Sequence, residues 1–504
     1  MLSRRTFLAA AAAQPAPAQP NILFLMCDQL NASVTSLYGG PVATPHLERL
    51  ARRGVVFRNA TCPTPFCSPT RASIVTGLYP HTHGIVHNVS RFDYPASPSP
   101  ATEQGLSTSD VTTDSILHAA GYSTHQYGKW HLRGDSLPCY PDTYGEHREY
   151  AQEMAARFGE VRRRPEGEWM NWYGWNLPVT IDRRYAASFP AEDPLRKSPL
   201  RDFVLKMGRL ELPPQEIFDV RVADKTIARL GSVRGPFSIT CSFNWPHDPN
   251  VIHTPYYDAV DPSEIALPAT LTTREGRFEK DLSRLMVAGA PETRLREFLR
   301  IYYASVRFID DQVGRVLDAL EKSGHESNTI VVFTSDHGDM AGGHGMAWKS
   351  TQAFYDEIAR VPLVISWPGR IKPGKTDAEA NLTDLAPTLL ELTGQRVPSN
   401  MQGTSLASVL RGGSAARHVH RYSERIRANP GRLRAIKPGN PGDWMVRGEG
   451  WKYIVYADGE EFLYNLRRDP GELRNLAAER SARATIGQMR GNLHQWLRDT
   501  EHKS

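Results

Sequence analysis

Three of four short apolar runs break off into residues that can bind or react. "NILFLMCD" (21–28) ends at Asp28, with Gln29 next. "PFSITCSFNWPHDP" (236–249) reaches His247, and "TIVVFTSDHGD" (329–339) reaches Asp336 and His337. "VPLVISWPG" (361–369) is the fourth. Short runs that are apolar throughout, rather than alternating, read as strands buried on both faces. Helical apolar spacing falls between them, at 45–53, 109–120, 219–230 and 296–323. In the last segment Ile301, Ala304, Phe308, Ile309, Val313, Val316, Leu317 and Leu320 share one broad face. Strands alternating with helices predict an α/β fold: a large, mostly parallel sheet sandwiched by helices. Ligands bind such sheets beyond the carboxyl ends of the strands, where this chain puts its Asp, Gln and His residues.

The remaining organisation is coarser. A chain of 504 residues is too long for one simple core. Polar stretches at 88–108 and 131–215 read as loop excursions over the binding face. Beyond about residue 415, "DWMVRGEGWKYIVYADGEEFLYNLRRDPGELRNLA" alternates in short aromatic-rich runs split by Gly and Asp-Gly turns. This predicts a small C-terminal antiparallel sheet with a helix at 476–500. The expected domains are residues 19–415 and 416–504. Residues 1–18 read as a signal peptide: paired Arg4 and Arg5, then Phe7, Leu8 and an alanine run, then an A-x-A site at Ala16–Ala18. A twin-arginine start points to a bacterial periplasm or to secretion. The apolar stretch is too short for a lasting membrane anchor.

The formal charge is +5, or +3 without Arg4 and Arg5. Such a balance excludes the concentrated basic face of a nucleic-acid binder. Five cysteines (27, 62, 67, 139 and 241) with no C-x-x-C pair are too few for a disulfide scaffold. Their odd number leaves one thiol unpaired or chemically altered.

Cys67 opens "CSPTRASIVTG". Pro69 suits a first helical turn, so Cys67 falls near a helix N-terminus, where the dipole favours anions and lowers a thiol pKa. Arg71 lies one turn on, on the same face. A structural cysteine, bridged to Cys62, is the bland alternative. Asp28, Gln29, Asp336 and His337 offer an oxygen-rich donor set with one imidazole, suited to Ca²⁺ or Mg²⁺ and open to Mn²⁺; singly, such pairs are also ordinary strand caps. "YGKWHLRGD" carries Lys129 and His131, "NWPHDP" carries His247, and "GGHGMAWKS" carries Lys349. In isolation the first reads better as a solvated lysine and a loop histidine, and the other two are compatible with plain loops. Trp169, Trp172, Tyr173 and Trp175 in "WMNWYGWN" could stack on a sugar ring, although clustered aromatics more often pack.

Taken together these motifs resemble the type I sulfatases of the alkaline phosphatase superfamily. "CSPTRASIVTGLYPHTHG" resembles the C-x-P-x-R signature of that family, whose cysteine is converted to formylglycine. "PNILFLMCDQL", "GYSTHQYGKWHLRG", "TIVVFTSDHGDMAGGHGMAWK", "RVPLVISWPG", "LTDLAPTLLELTG" and "FLYNLRRDPGELRNLA" resemble the other landmarks, in family order, from about 20 to 476. The resemblance implies that Cys67, as formylglycine, is nucleophile and metal ligand. Asp28, Gln29, Asp336 and His337 would hold Ca²⁺, Arg71 would steady the hydrated aldehyde, and Lys129, His131, His247 and Lys349 would surround the sulfate. A formylglycine-generating enzyme is the implied maturation partner. Asp-Gln and Asp-His stand where many members carry Asp-Asp and Asp-Asn, as in choline sulfatase-like and phosphonate hydrolase-like branches.

The implied reaction releases sulfate from an organic sulfate ester. One hydroxyl of the hydrate attacks sulfur. His247, assisted by Lys349, protonates the departing alcohol. The second hydroxyl gives its proton to His131 as sulfate leaves. Export favours a sulfated carbohydrate as substrate. Phosphate or phosphonate ester hydrolysis on the same site, and a non-catalytic anion binder with unmodified Cys67, are the alternatives.

Overall fold

The computed structural model describes residues 19–89, 105–132, 138–145, 149–158, 169–172, 175–197, 205–273, 276–350, 352–413, 419–426 and 442–500. The signal segment 1–18 and the expected domain boundary at 415 lie outside the described residues, as does most of the stretch 88–108. Of the aromatic run, Tyr173 lies outside them, and only the backbone of Trp169, Trp172 and Trp175 is described.

The strands are β1 (Asn21–Asp28), β2 (Gly54–Thr61), β3 (Ser123–Gly128), β4 (Asp142–Tyr144), β5 (Trp169–Trp172), β6 (Trp175–Ile181), β7 (Gly208–Leu210) and β8 (Phe237–Pro246). They continue with β9 (Val251–His253), β10 (Thr329–Ser335), β11 (Leu363–Ser366), β12 (Gly374–Asn381), β13 (Arg421–Ile426), β14 (Gly442–Gly448), β15 (Trp451–Val455) and β16 (Glu461–Asn465). The helices that matter here are α1 (Pro45–Ala51), α2 (Cys67–Thr76), α3 (Thr113–Ala119), α4 (Arg183–Ala187), α5 (Phe218–Ser232), α6 (Pro291–Lys322), α7 (Leu385–Leu392) and α8 (Arg483–Thr500).

The main sheet has eight strands in the order β12-β2-β11-β10-β1-β8-β3-β4. β1 is central and parallel to both β10 and β8. β3 is parallel to β8 and β4, and β12 to β2. Only β11 runs against its neighbours. Side chains alternate across a strand, so β1 feeds two cores. Leu23, Leu25 and Cys27 pack with Val222 of α5 and Phe308 and Val313 of α6. Ile22, Phe24 and Met26 pack on the other face with Leu117 of α3 and Leu385 and Leu389 of α7. Both faces are dry, which is why these strands read as continuous apolar runs.

The stretch 131–215 departs from the expectation of a loop. β4 extends the main sheet there, and β5, β6, β7 and β9 form a separate four-stranded sheet. Short strands in polar sequence carry too weak a period to be read in advance. The helix expected over 109–120 starts only at Thr113, because Thr112 and Ser115 close a capping box. The C-terminal sheet β13-β14-β15-β16 is wholly antiparallel, and α8 packs on it through Ile486, Met489, Leu493 and Trp496.

Candidate active site

The site lies at the carboxyl ends of β1, β3, β8 and β10, as strand polarity requires in a parallel sheet. Asp28 closes β1 and Gln29 follows it; Asp336 and His337 follow β10. Lys129 follows β3, and His247 follows β8. The register that pairs Cys27 with Ser335 carries Asp28 and Asp336 to the same level.

Cys67 is the first residue of α2, a helix buried along nearly its whole length. Its Sγ lies 3.1 Å from His337 Nε2, 3.7 Å from Asp28 Oδ1 and 3.7 Å from Lys349 Nζ. Among the described residues no cysteine is bridged, so the alternative of a Cys62–Cys67 disulfide falls away. Arg71, 2% exposed, ties the floor together. Its Nε donates to Asp336 Oδ2 at 2.8 Å and one Nη to Asp28 Oδ2 at 3.1 Å. The other Nη donates to the Lys129 carbonyl at 2.7 Å and to Ser242 Oγ at 3.0 Å. Lys129 Nζ pairs with Asp28 Oδ2 at 2.8 Å. Burial opposes a charge on Asp28, yet Lys129, with Arg71, holds its carboxyl well below the usual range.

One subgroup has the chemistry of a cation site. Donor atoms of Asp28, Cys67, Asp336 and His337 lie within 4.8 Å of one another. His337 Nδ1 donates to the Gly338 carbonyl at 2.8 Å, which turns Nε2 inward. Gln29 adopts a left-handed φ of 67° and donates from Nε2 to Asp339 Oδ2 at 2.7 Å. That bond leaves Gln29 Oε1 buried without a hydrogen-bond partner among the described residues. Burial disfavours a charged His337, but Cys67, Asp336 and Asp28 raise its pKa to about 9. The cluster therefore attracts positive charge, and its oxygen-rich donors fit a hard divalent cation.

His247 and Lys349 face the same thiol. His247 Nδ1 donates to the Asp248 carbonyl at 2.8 Å, and Nε2 lies 2.6 Å from Lys349 Nζ. Burial, then Lys129 and Lys349, pushes the His247 pKa well down, so the ring is neutral and accepts from the ammonium. His131 meets α2 through its backbone, its carbonyl accepting from Ser68 Oγ at 2.6 Å. Every other residue expected at the site takes part in the Cys67 network.

Sequence reasoning missed the supporting residues. Asp339 orients Gln29, and Asn244 Oδ1 accepts from Lys129 Nζ at 3.3 Å. Asp219 accepts from the backbone of Asn244 and Trp245 at 2.6 and 3.1 Å, and Trp348 Nε1 donates to Asp248 Oδ1 at 3.0 Å. Asp339, Asn244 and Asp248 stood inside motifs already singled out. Asp219 sits on α5, where it reads as a helix-start acid.

The family model for sulfatases matches residues 20–395. The chain belongs to the sulfatase family. This sulfatase is a hydrolase of sulfuric esters. A second model, for the C-terminal part of N-sulphoglucosamine sulphohydrolase, matches residues 342–499. The sulfatase is 30% identical to the Delta 4,5-hexuronate-2-O-sulfatase of Bacteroides thetaiotaomicron, over 97% of this chain and 91% of that protein. It is 29% identical to the choline-sulfatase of Rhizobium meliloti, over 91% of this chain and 82% of that protein. Among solved structures, a 2-O GAG sulfatase superposes with a TM-score of 0.70 at 25% identity, covering 96% of this chain and 93% of that one.

Proposed function

We propose that this sulfatase removes sulfate from a carbohydrate, with a nucleophile made from Cys67. The observation that carries the reading is the convergence on Cys67 of one guanidinium-braced acid pair, an inward-facing imidazole and the Lys349–His247 pair. Asp28 and Asp336 are matched by Arg71 and Lys129. Lys349 then leaves the site with an excess of positive charge, which suits a sulfate monoester. The carbohydrate is supported by the hexuronate and GAG sulfatases among the relatives.

Asp28, Gln29, Asp336 and His337 would hold the cation, with Ca²⁺ favoured over Mn²⁺ and Mg²⁺ by the oxygen-rich set; when bound it supplies Lewis-acid polarisation at the nucleophile and the sulfuryl oxygens. Formylglycine at position 67 supplies a hydrated aldehyde, one hydroxyl to attack sulfur and one to let sulfate go. Arg71 steadies that side chain and fixes both carboxylates. Lys129 and Lys349 take the charge on the sulfuryl oxygens. The Lys349–His247 pair holds one proton between Nζ and Nε2 and delivers it to the departing alcohol oxygen. His131 would take the proton of the second hydroxyl.

Residues 19–415 would form the catalytic domain and 416–504 a C-terminal subdomain. Residues 1–18 would direct twin-arginine export to the periplasm, after maturation by a formylglycine-generating enzyme. No helix among the described residues is long and apolar enough to cross a membrane. The test is release of inorganic sulfate from O-sulfated hexosamine and uronate saccharides, from choline sulfate, and from matched aryl sulfate and phosphate esters. Higher kcat/KM on a sulfated saccharide is expected. Preference for choline sulfate would overturn the substrate class, and preference for the phosphate or a phosphonate would overturn the reaction.

A further inference from the structure

The Lys349–His247 pair is assembled from two separate elements. His247 follows β8, and Lys349 lies in the loop after β10, 102 positions further on. Bringing Nζ within 2.6 Å of Nε2 requires that the two elements be held to one another. One carboxyl oxygen stands between them. Asp248 is 3% exposed. Its Oδ1 accepts from Trp348 Nε1 at 3.0 Å and stands 3.1 Å from His247 Nδ1.

Each contact bears on one member of the pair. On the His247 side, Nδ1 donates to the Asp248 carbonyl at 2.8 Å, with the carboxyl close to the same nitrogen. A proton fixed on Nδ1 leaves Nε2 as an acceptor, which is what the Lys349 ammonium meets. Asn244 Nδ2 donates to the same carbonyl at 3.2 Å, and Asn244 Oδ1 accepts from Lys129 Nζ, so this stretch is itself anchored. On the Lys349 side, Trp348 is the preceding residue, and its ring centre lies 5.2 Å from Lys349 Nζ. Trp348 holds a left-handed φ of 70°. A bulky residue is kept there where its surroundings over-determine it, and such residues cluster at functional sites. Burial raises the Asp248 pKa, and Lys349, then Lys129, work against that rise, so the carboxyl also feels the ammonium it helps to place.

A carboxyl that merely satisfied an indole N–H would have no reason to share that oxygen with the imidazole. We propose that Asp248 is the positioning residue of the proton-delivery pair, holding the His247 ring directly and Lys349 through Trp348. This role rests on that pair being the proton source. As the S–O bond to the alcohol breaks, the pair's shared proton passes to the departing oxygen, and Asp248 neither gains nor loses one.

The test compares kcat and KM for phenyl sulfate and para-nitrophenyl sulfate in the holoenzyme and in its Asp248→Ala, Trp348→Phe and Lys349→Ala variants, and again with Lys349→Ala added to each of the first two. Asp248→Ala is expected to lower kcat on phenyl sulfate roughly 10- to 100-fold, the scale of a misplaced reacting group, with KM little changed. The loss should be smaller on para-nitrophenyl sulfate, whose leaving group needs less protonation. Trp348→Phe keeps an aromatic ring and removes the donor, so it should show the same split to a lesser degree. On top of Lys349→Ala, Asp248→Ala should cost less than about 3-fold more, since residues acting as a unit are not additive. No loss, equal losses on the two esters, or a full further loss in the Lys349→Ala background would overturn the role of Asp248. A Lys349→Ala loss that is itself equal on the two esters would instead overturn the proton-delivery reading beneath it. Thermal melts report the fold of each variant, and Trp348→Phe carries the comparison if Asp248→Ala does not fold.

Discussion

Arg71 shows how much one residue carries. Its guanidinium is the common partner of Asp28 and Asp336, and all three are buried. Removing it leaves Asp336 without its guanidinium and Asp28 with Lys129 alone, and breaking such a buried pair costs about 3–5 kcal/mol. Arg71→Ala is therefore expected to lower the unfolding free energy by that amount in denaturant titrations and to abolish turnover. Lys349→Ala should behave differently, because Lys349 is only partly buried and its partner is a neutral imidazole. It is expected to keep the fold and lose roughly 10²–10⁴ in kcat, the usual worth of a positioned proton donor. The loss should be smaller on aryl sulfates, whose leaving groups need less protonation; equal losses on alkyl and aryl esters would place Lys349 outside proton delivery. Residue types at strand ends made most of this site legible in the sequence. What was not legible is who pairs with whom: Arg71 and Asp336 are 265 positions apart, and nothing local joins them.

At the scale of elements, the loop after β10 does the positioning. It carries Asp336, His337, Asp339 and Lys349, and it is pinned halfway by His344. That residue has a left-handed φ of 53° and stacks on Tyr355 with ring centres 3.6 Å apart. It is 1% exposed, and neither ring nitrogen has a hydrogen-bond partner among the described residues. Burial, then Lys452 and Arg284, lowers its pKa to about 3. The unfolded chain, with an ordinary histidine pKa near ~6.5, takes up a proton that the folded chain refuses. The stability His344 contributes is thus present above about pH 6.5 and lost as pH falls toward 3. His344→Asn, which tolerates the left-handed backbone, is expected to give a shallower fall of Tm between those pH values. Gly128 makes a steric prediction. It precedes Lys129 with φ of 95°, and a Cβ there would lie 1.8 Å from the Ser242 carbonyl oxygen. Gly128→Ala should lower Tm and raise KM together, since β3 and β8 must part to admit it. The long periodic elements, β1, β8, β10 and α6, were readable as apolar patterns. β4 to β7 were not, because their strands are short and set in polar sequence.

For the molecule as a whole, the two sheets are joined through a buried charge. Lys452 of β15 is fully buried, its Nζ bound to the Phe354 carbonyl at 3.0 Å, Asp356 Oδ1 at 2.5 Å and Glu472 Oε1 at 2.7 Å. The C-terminal sheet thereby grips the segment that follows Lys349. Lys452→Ala, which strands Glu472 and leaves Asp356 to Arg360 and Arg447, is expected to cost about 3–5 kcal/mol and to reduce activity from a distance; an unchanged denaturant midpoint would contradict that seam. The cation makes a second global prediction. Exhaustive chelation should lower Tm and remove turnover, and Ca²⁺ should restore both, since a ligand at a hundred times its Kd adds ~2.7 kcal/mol. The α/β architecture and the antiparallel C-terminal sheet were both evident from strand texture. The contact between them was not, since pattern says what an element is and not what its buried lysine will meet.

The central claim is that the cysteine encoded at position 67 is only the precursor of the reacting group. Mass spectrometry of the tryptic peptide Asn59–Arg71, from protein purified out of its native source and active in sulfate release, tests it most directly. The account predicts the mass of formylglycine in place of cysteine. An intact thiol in active enzyme would contradict it.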